Sequence, residues 1–331
     1  MGSAMAIDMT PPADAAAFLA AHGWGGGLIA PLAGDASFRR YFRVTDSGRS
    51  AVLMDAPPPH ENPRPFVDVA CWLHGHGFAA PAILAADLDR GLVLIEDFGD
   101  VRMRETVDAD PARAASLYAS AIDLLIELHK HEAGPLRPYG RAELEREAGL
   151  FTEWYCPAVG IEVDAAPYRA AWDAAFDQVA THPAPVTVLR DYHAENLMLI
   201  EGGGLGLLDF QDALAGHRAY DLVSLLQDAR RDVEPAIEAM MLTRYCEATA
   251  AGDDFRAAYH ILGAQRNAKI LGIFTRLWQR DGKPRYPRMC PRVWRYLEHD
   301  LAQPALAPVK TWFDANVPPE RRGDPIEIAS R

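Results

Sequence analysis

The chain has 331 residues, of which 49% are hydrophobic and 24% charged, enough for a large core and for two domains or one bilobal unit. Its 33 basic and 46 acidic residues give a net charge of −13, which argues against a nucleic-acid surface, since that needs a clustered positive face. Four scattered cysteines without metal or redox spacing, and no apolar run near the ~20 residues that span a bilayer, set the expectation of a cytoplasmic protein with no membrane partner.

Met1 to Asp8 reads as a cloning remnant ahead of a native start at Met9, and it lacks the basic-then-apolar pattern of a secretory signal. Tyr41–Val44 and Ala51–Met54 read as strands joined by the turn Asp46-Ser47-Gly48. The proline-rich stretch Pro57 to Pro65 is a loop, Val67 to His74 a short helix, and Leu92–Ile95 another strand. Near residue 98 the pattern turns helical, so an N-terminal lobe over 9–98 and a C-terminal lobe over 99–331 are expected. Asp110-Pro111 predicts an N-cap and first-turn proline for a helix whose inner face carries Leu117, Ala121, Leu124, Leu125 and Leu128. Further helices are predicted around 143–155, 167–180, 219–229, 234–249, 255–279 and 292–301. Short strands are predicted at 186–189, 197–200 and 205–209, the last two flanking Gly202-Gly203-Gly204. The class is α+β: a small antiparallel sheet followed by a larger, mainly helical part.

The densest chemical signal is Leu189-Arg190-Asp191-Tyr192-His193-Ala194-Glu195-Asn196, followed by Asp209-Phe210-Gln211. A carboxylate and an amide stand five residues apart after one strand, and a second carboxylate ends a hairpin. Phosphoryl transfer needs such a set: one carboxylate to orient the attacking hydroxyl and take its proton, and an amide oxygen plus another carboxylate to hold magnesium on the phosphates. A purely structural reading would make Asp191 a turn cap and leave Asn196 and Asp209 to loop hydrogen bonds.

Asp191 with Asn196, then Asp209-Phe210, Asp212 and Tyr220-Asp221-Leu222, resembles the aminoglycoside phosphotransferase-like branch of the protein-kinase-like enzymes. The resemblance implies a bilobal kinase fold that uses ATP and magnesium. It makes Asp191 the base, Asn196 and Asp209 the metal ligands, Asp212 a substrate-side acid and Asp221 a support for the catalytic loop. Gly34-Asp35-Ala36-Ser37-Phe38-Arg39-Arg40-Tyr41-Phe42-Arg43 looks like a phosphate-covering loop running into a strand, so Gly34, Ser37, Arg40 and Arg43 are nucleotide-site candidates. No P-loop run is present. Ile95-Glu96-Asp97-Phe98-Gly99 falls where such kinases have the linker whose backbone meets adenine, which adds Glu96 and Phe98. Met54 occupies the place of the third-strand lysine, so Arg39, Arg40 or Arg43 must supply that charge, or the chain binds nucleotide without turning it over.

The same stretch, with Val52-Leu53-Met54-Asp55-Ala56-Pro57-Pro58, Phe151-Thr152-Glu153-Trp154-Tyr155 and Gln265 to Gly272, resembles the bacterial cell-wall amino-sugar anomeric kinases. Those kinases use ATP to phosphorylate the anomeric hydroxyl of N-acetylmuramate and N-acetylglucosamine for peptidoglycan recycling. Arg266, Lys269 and Arg276, at helical spacing, are candidates for the lactyl carboxylate, and Trp154, Tyr155 and Trp278 for stacking on a sugar. The partners implied are an amino sugar and ATP, with the oligomeric state left open. An aminoglycoside or choline kinase and a silent nucleotide-binding module are the competing expectations. His74/His76 and His129/His131, two residues apart, point to different sides of a helix and are poor metal pairs.

Overall fold

The computed structural model describes residues 9–32, 39–180 and 185–330. In chain order the N-terminal elements are α1 (Ala15–Ala21), β1 (Leu28–Pro31), β2 (Arg40–Asp46), β3 (Arg49–Asp55), α2 (Arg64–Gly75), β4 (Ile83–Asp87), β5 (Leu92–Glu96) and α3 (Met103–Ala109). There follow α4 (Ala114–Leu128), α5 (Arg141–Leu150), α6 (Cys156–Ala158), α7 (Ala165–Ala180), β6 (Val186–Val188), β7 (Leu197–Leu199), β8 (Leu205–Leu207) and β9 (Leu214–Gly216). The rest is helical: α8 (Ala219–Leu226), α9 (Pro235–Thr249), α10 (Asp253–Gln279), α11 (Cys290–Leu301), α12 (Ala307–Asn316) and α13 (Pro325–Ala329). Packing divides the chain into two units: residues up to Pro111 with Glu195–Asp212, and Ala112–Ala194 with Ala213–Arg331. Among the described residues no helix is long and apolar enough to cross a membrane.

The first unit is built on an antiparallel sheet in the order β1-β2-β3-β5-β4. The β2–β3 hairpin turns at Ser47 and Gly48, both at positive φ, the backbone that a two-residue hairpin turn requires. Its register places Phe42 opposite Leu53 and Val44 opposite Ala51. These four face α1 and close a core with Phe18, Leu19, Trp24, Leu92 and Leu94. Because side chains alternate along a strand, Tyr41, Arg43, Val52 and Met54 lie on the other face. The helix predicted from Val67 extends over Arg64–Gly75, its start held by Asn62 Oδ1 accepting from the Arg64 amide (3.0 Å).

The β7–β8 hairpin joins this unit rather than the helices. Leu207 N donates to Ala79 O (2.8 Å) and Leu199 N to Val101 O (2.8 Å). The packing units therefore differ in extent from the 9–98 and 99–331 division, since 99–111 and 195–212 go with the sheet.

In the second unit α10 is the central rod, with buried residues from Phe255 to Thr275. Gly272 permits the closest approach: a Cβ there would stand 2.3 Å from the carbonyl oxygen of Leu150. The helix predicted over 143–155 does not run straight through. It ends at Leu150 and continues as one π turn, Phe151–Tyr155, the sort of irregularity that recurs at functional sites. Asp110 ends α3 instead of capping α4, which starts after a short turn at Pro111–Arg113, although Leu117, Ala121, Leu125 and Leu128 bury as predicted. A buried hub pins α10 to α11: Asp300 accepts from His260 (2.9 Å), Gln227 (3.0 Å) and Asn267 (3.3 Å).

Candidate active site

In the first unit the two predicted metal ligands flank one hairpin. Asn196 immediately precedes β7 and Asp209 follows β8, with Leu208 N donating to Asn196 O (3.0 Å). This pairing of the hairpin ends brings the side chains together: Asn196 Nδ2 donates to Asp209 Oδ2 at 3.5 Å, and Gln211 Nε2 to Asp209 Oδ1 at 2.8 Å. Asp209 has φ +58, a left-handed backbone that side-chain residues adopt sparingly and that short aspartates tolerate best. Behind it Phe210 is fully buried and stacked on Phe66 of α2, ring centroids 4.9 Å apart. An exposed carboxylate beside an amide, whose rotation presents its oxygen to the same place, is an all-oxygen donor set suited to a hard cation that keeps waters and phosphate oxygens as its other ligands.

The sheet face bearing Met54 sorts the three arginines. Arg40 points to the opposite face and gives its guanidinium to buried Asp55 (2.9 and 2.5 Å). Arg43 is on the Met54 face but is gripped at the linker by Asp97 (2.7 Å) and Asp100 (2.9 Å), whose carboxylates raise its pKa. Arg39, just before β2 and beside Tyr41, pairs with Glu61 at 3.4 Å. Burial pushes the Tyr41 phenol up to about 12, with Arg39 drawing it down and Asp209 driving it up, so this end of β2 shares its electrostatics with the metal-ligand candidate. Gly34 and Ser37 lie outside the described residues.

In the linker, Glu96 accepts from Ala82 N (3.1 Å) while its own amide donates to Ala82 O (2.9 Å), and Asp97 accepts from Gly99 N (3.0 Å). The Phe98 ring packs on Gly206 of β8, where a Cβ would come within 2.7 Å of it.

In the second unit Asp191 follows β6 in a turn held from below. The carboxylate of Asp221, at the start of α8, accepts from the backbone amides of Leu189 (2.6 Å) and Arg190 (2.8 Å). Ser224, one helical turn on, donates to Arg190 O (3.0 Å) and accepts from Arg266 Nη2 (2.8 Å). Asp221 is fully buried and its pKa rises to about 7, burial being the main cause, with Asp191 adding to the rise and the two amides and Arg266 opposing it. Arg190 has φ +71, so the residue before Asp191 sits in a left-handed turn. His193 is buried, its amide donating to Asp191 O (3.1 Å).

The remaining substrate candidates turn to different partners. Arg266 is buried against Ser224, and its Nη1 has no hydrogen-bond partner among the described residues. Lys269 meets Glu147 (2.9 Å) and the Tyr220 hydroxyl (3.2 Å). Trp154 is half-buried on the π turn, and its indole N–H has no partner among the described residues. Tyr155, by contrast, is core: its hydroxyl is bonded to Gly323, Arg321 O and the Trp294 indole. Asp212 is exposed, three residues after Asp209. Sequence reasoning missed Glu147 and Glu61, since a single acidic residue outside a motif carries no signal and their partners are distant along the chain.

Residues 28–259 match the model of the family described as "Phosphotransferase enzyme family". The N-acetylmuramate/N-acetylglucosamine kinase of Caulobacter vibrioides is 40% identical, over 96% of this chain and 100% of its own length. The enzyme of the same name from Pseudomonas aeruginosa is 42% identical, over 87% of this chain and 89% of its own. Among solved structures, a choline/ethanolamine kinase family protein from Mesorhizobium loti aligns with a TM-score of 0.63 at 18% identity, covering 90% of this chain and 98% of that one, a likeness of fold.

Proposed function

This chain belongs to the phosphotransferase enzyme family and has its protein-kinase-like fold, and on that premise we propose that it transfers the γ-phosphoryl group of ATP to the anomeric hydroxyl of N-acetylmuramate and N-acetylglucosamine. The observation that carries the substrate is the 40% identity to a kinase of that name over nearly the whole of both chains. An anomeric hydroxyl is more acidic than an ordinary alcohol, so a carboxylate needs little tuning to accept its proton.

In this reading Asp191 aligns the hydroxyl and takes its proton. Asn196 and Asp209 would hold magnesium, which would offset the charge on the phosphates. The backbone at Glu96–Phe98 is assigned to adenine, and Gly34 and Ser37 are assigned to the phosphates. Of the three arginines, Arg39 is assigned the role the missing lysine would fill. It stands beside Tyr41, which shares the face of Met54, and its partner Glu61 is a single carboxylate, whereas Arg40 faces away and Arg43 is held by two aspartates at the linker. Asp212, Trp154 and Lys269 are assigned to the sugar, while Arg266 acts through Ser224 on the catalytic turn. The sugar 1-phosphate formed would serve peptidoglycan recycling.

ATP consumption with magnesium, scanned over N-acetylmuramate, N-acetylglucosamine, an aminoglycoside and choline, tests the assignment. Turnover with the amino sugars alone is expected. Turnover with only the aminoglycoside or choline would replace the substrate, and nucleotide binding without turnover would support the silent module suggested by Met54.

A further inference from the structure

We propose that Glu147 is the positioning residue for Asp191: it anchors the Arg190 side chain and thereby locks the left-handed turn that presents the base. The proposal rests on Asp191 being the base.

Glu147 lies on α5, far in sequence from the catalytic turn, and is only 2% exposed. Its carboxylate receives Arg190 Nη2, the Tyr139 hydroxyl and Lys269 Nζ (2.9 Å), with Arg146 at 3.6 Å. Burial alone would drive the carboxyl toward its neutral form, but Lys269 and Arg190 outweigh it and hold the pKa below the ordinary range. The buried site therefore keeps a carboxylate, and a carboxylate so placed is tolerated only while its cations stay in position. Arg190 is likewise fixed from both sides, with Glu147 at its tip and the Tyr139 ring 5.3 Å from its guanidinium carbon.

This matters because of where Arg190 stands. A non-glycine residue at φ +71 persists only where its surroundings over-determine it. Asp221 and Ser224 hold the peptide groups on either side of that residue, but they leave its side-chain direction free. Glu147 sets that direction, and the next residue is Asp191. One carboxylate thus ties α5, α10 through Lys269, and the catalytic turn to a common point.

The test is Glu147→Gln, which keeps the shape and one acceptor but removes the charge. Arg190→Gln is the companion variant, since it leaves Glu147 neutralised by Lys269 and so guards against a failure to fold. Two readouts are taken on the full-length protein. One is kcat and KM with the amino sugar the wild type turns over. The other is hydrogen exchange of the backbone amides at 189–193, which needs no substrate. In both variants kcat is expected to fall about tenfold or more, with KM for ATP within about threefold, faster exchange at 189–193 and unchanged exchange in α10; in Arg190→Gln, where Lys269 keeps its carboxylate partner, KM for sugar also stays within about threefold. The double variant should be no worse than the single ones. Normal kcat in the folded fraction with unchanged exchange at 189–193 would overturn the proposal and leave Glu147 a packing residue. Should the wild type itself turn over no amino sugar, the functional reading fails separately, and the exchange arm still decides the role of Glu147.

Discussion

The two ends of the segment from Asp191 to Asn196 are built on opposite principles. Around Asp191, backbone and side chains are fixed by buried protein groups: Asp221 on two amides, Ser224 on a carbonyl, Arg266 on Ser224, Glu147 on Arg190. Around Asn196 and Asp209, the backbone is fixed by the hairpin while the side chains reach solvent and contact other side-chain amides. A group that takes a proton must be aimed before the substrate arrives, because small misplacements cost rate steeply. Groups that hold a cation must instead keep their oxygens available. On the roles proposed for them the two regions differ as their functions require, and each variant below should break one side of that difference while sparing the other.

The largest effect is expected at Asp191. Asp191→Asn should lower kcat about a thousandfold while nucleotide affinity stays within about threefold, measured by steady-state kinetics and nucleotide titration. Nucleotide affinity falling together with kcat would erase the distinction between the aimed base and the nucleotide-holding groups. Next, the arginines separate a ligand-facing cation from a structural one. Arg39→Met should raise KM for ATP about tenfold or more. Arg40→Met should leave KM alone and cost about 1–3 kcal/mol of stability in chemical denaturation, since it strands a buried Asp55. The opposite pattern would return the phosphate role to Arg40.

Gly272→Ala sharpens the packed side of the comparison. Its Cβ would collide with the Leu150 carbonyl oxygen, so a loss of about 1–3 kcal/mol is expected by denaturant titration, with the hairpin carrying Asn196 and Asp209 unaffected in hydrogen exchange. The smallest effect concerns pH. His129 is half-buried, its Nδ1 against the Tyr245 hydroxyl (2.7 Å), and the burial of its ring, helped by nearby Arg218, takes its pKa down to about 3. Unfolded, it takes a proton near pH 6.5, so the stability it contributes is complete above that pH and is lost as pH falls toward 3. The Tm difference between wild type and His129→Gln should therefore shrink from about pH 7 to about pH 5. A difference that grows on acidification would mean that His129 is charged in the folded protein.

Much of this was legible in the chain itself. The Asp191, Asn196 and Asp209 motifs stand at short, ordered spacings, and alternation with a good turn marked β2 and β3. Edge strands β1 and β4 escaped notice because they are short and partly exposed, with little apolar alternation. The stretch Gln265 to Gly272 stood out as a resemblance, but its work did not. Gln265 holds Leu144 O, Arg266 holds Ser224, Asn267 holds Gln227 and Asp300, Lys269 holds Glu147, and Gly272 admits Leu150. Each of those partners lies far along the chain, where no periodicity reaches. Glu147 was invisible for the same reason, since its importance comes from two cations, Arg190 and Lys269, that only folding gathers.

The central claim is the position at which phosphate arrives, and phosphorus NMR of the product made from ATP and N-acetylmuramate tests it most directly. A phosphorus resonance coupled to the anomeric proton is the predicted result. Phosphate on another hydroxyl, or no phosphorylated sugar while ATP is consumed with a different acceptor, would contradict it.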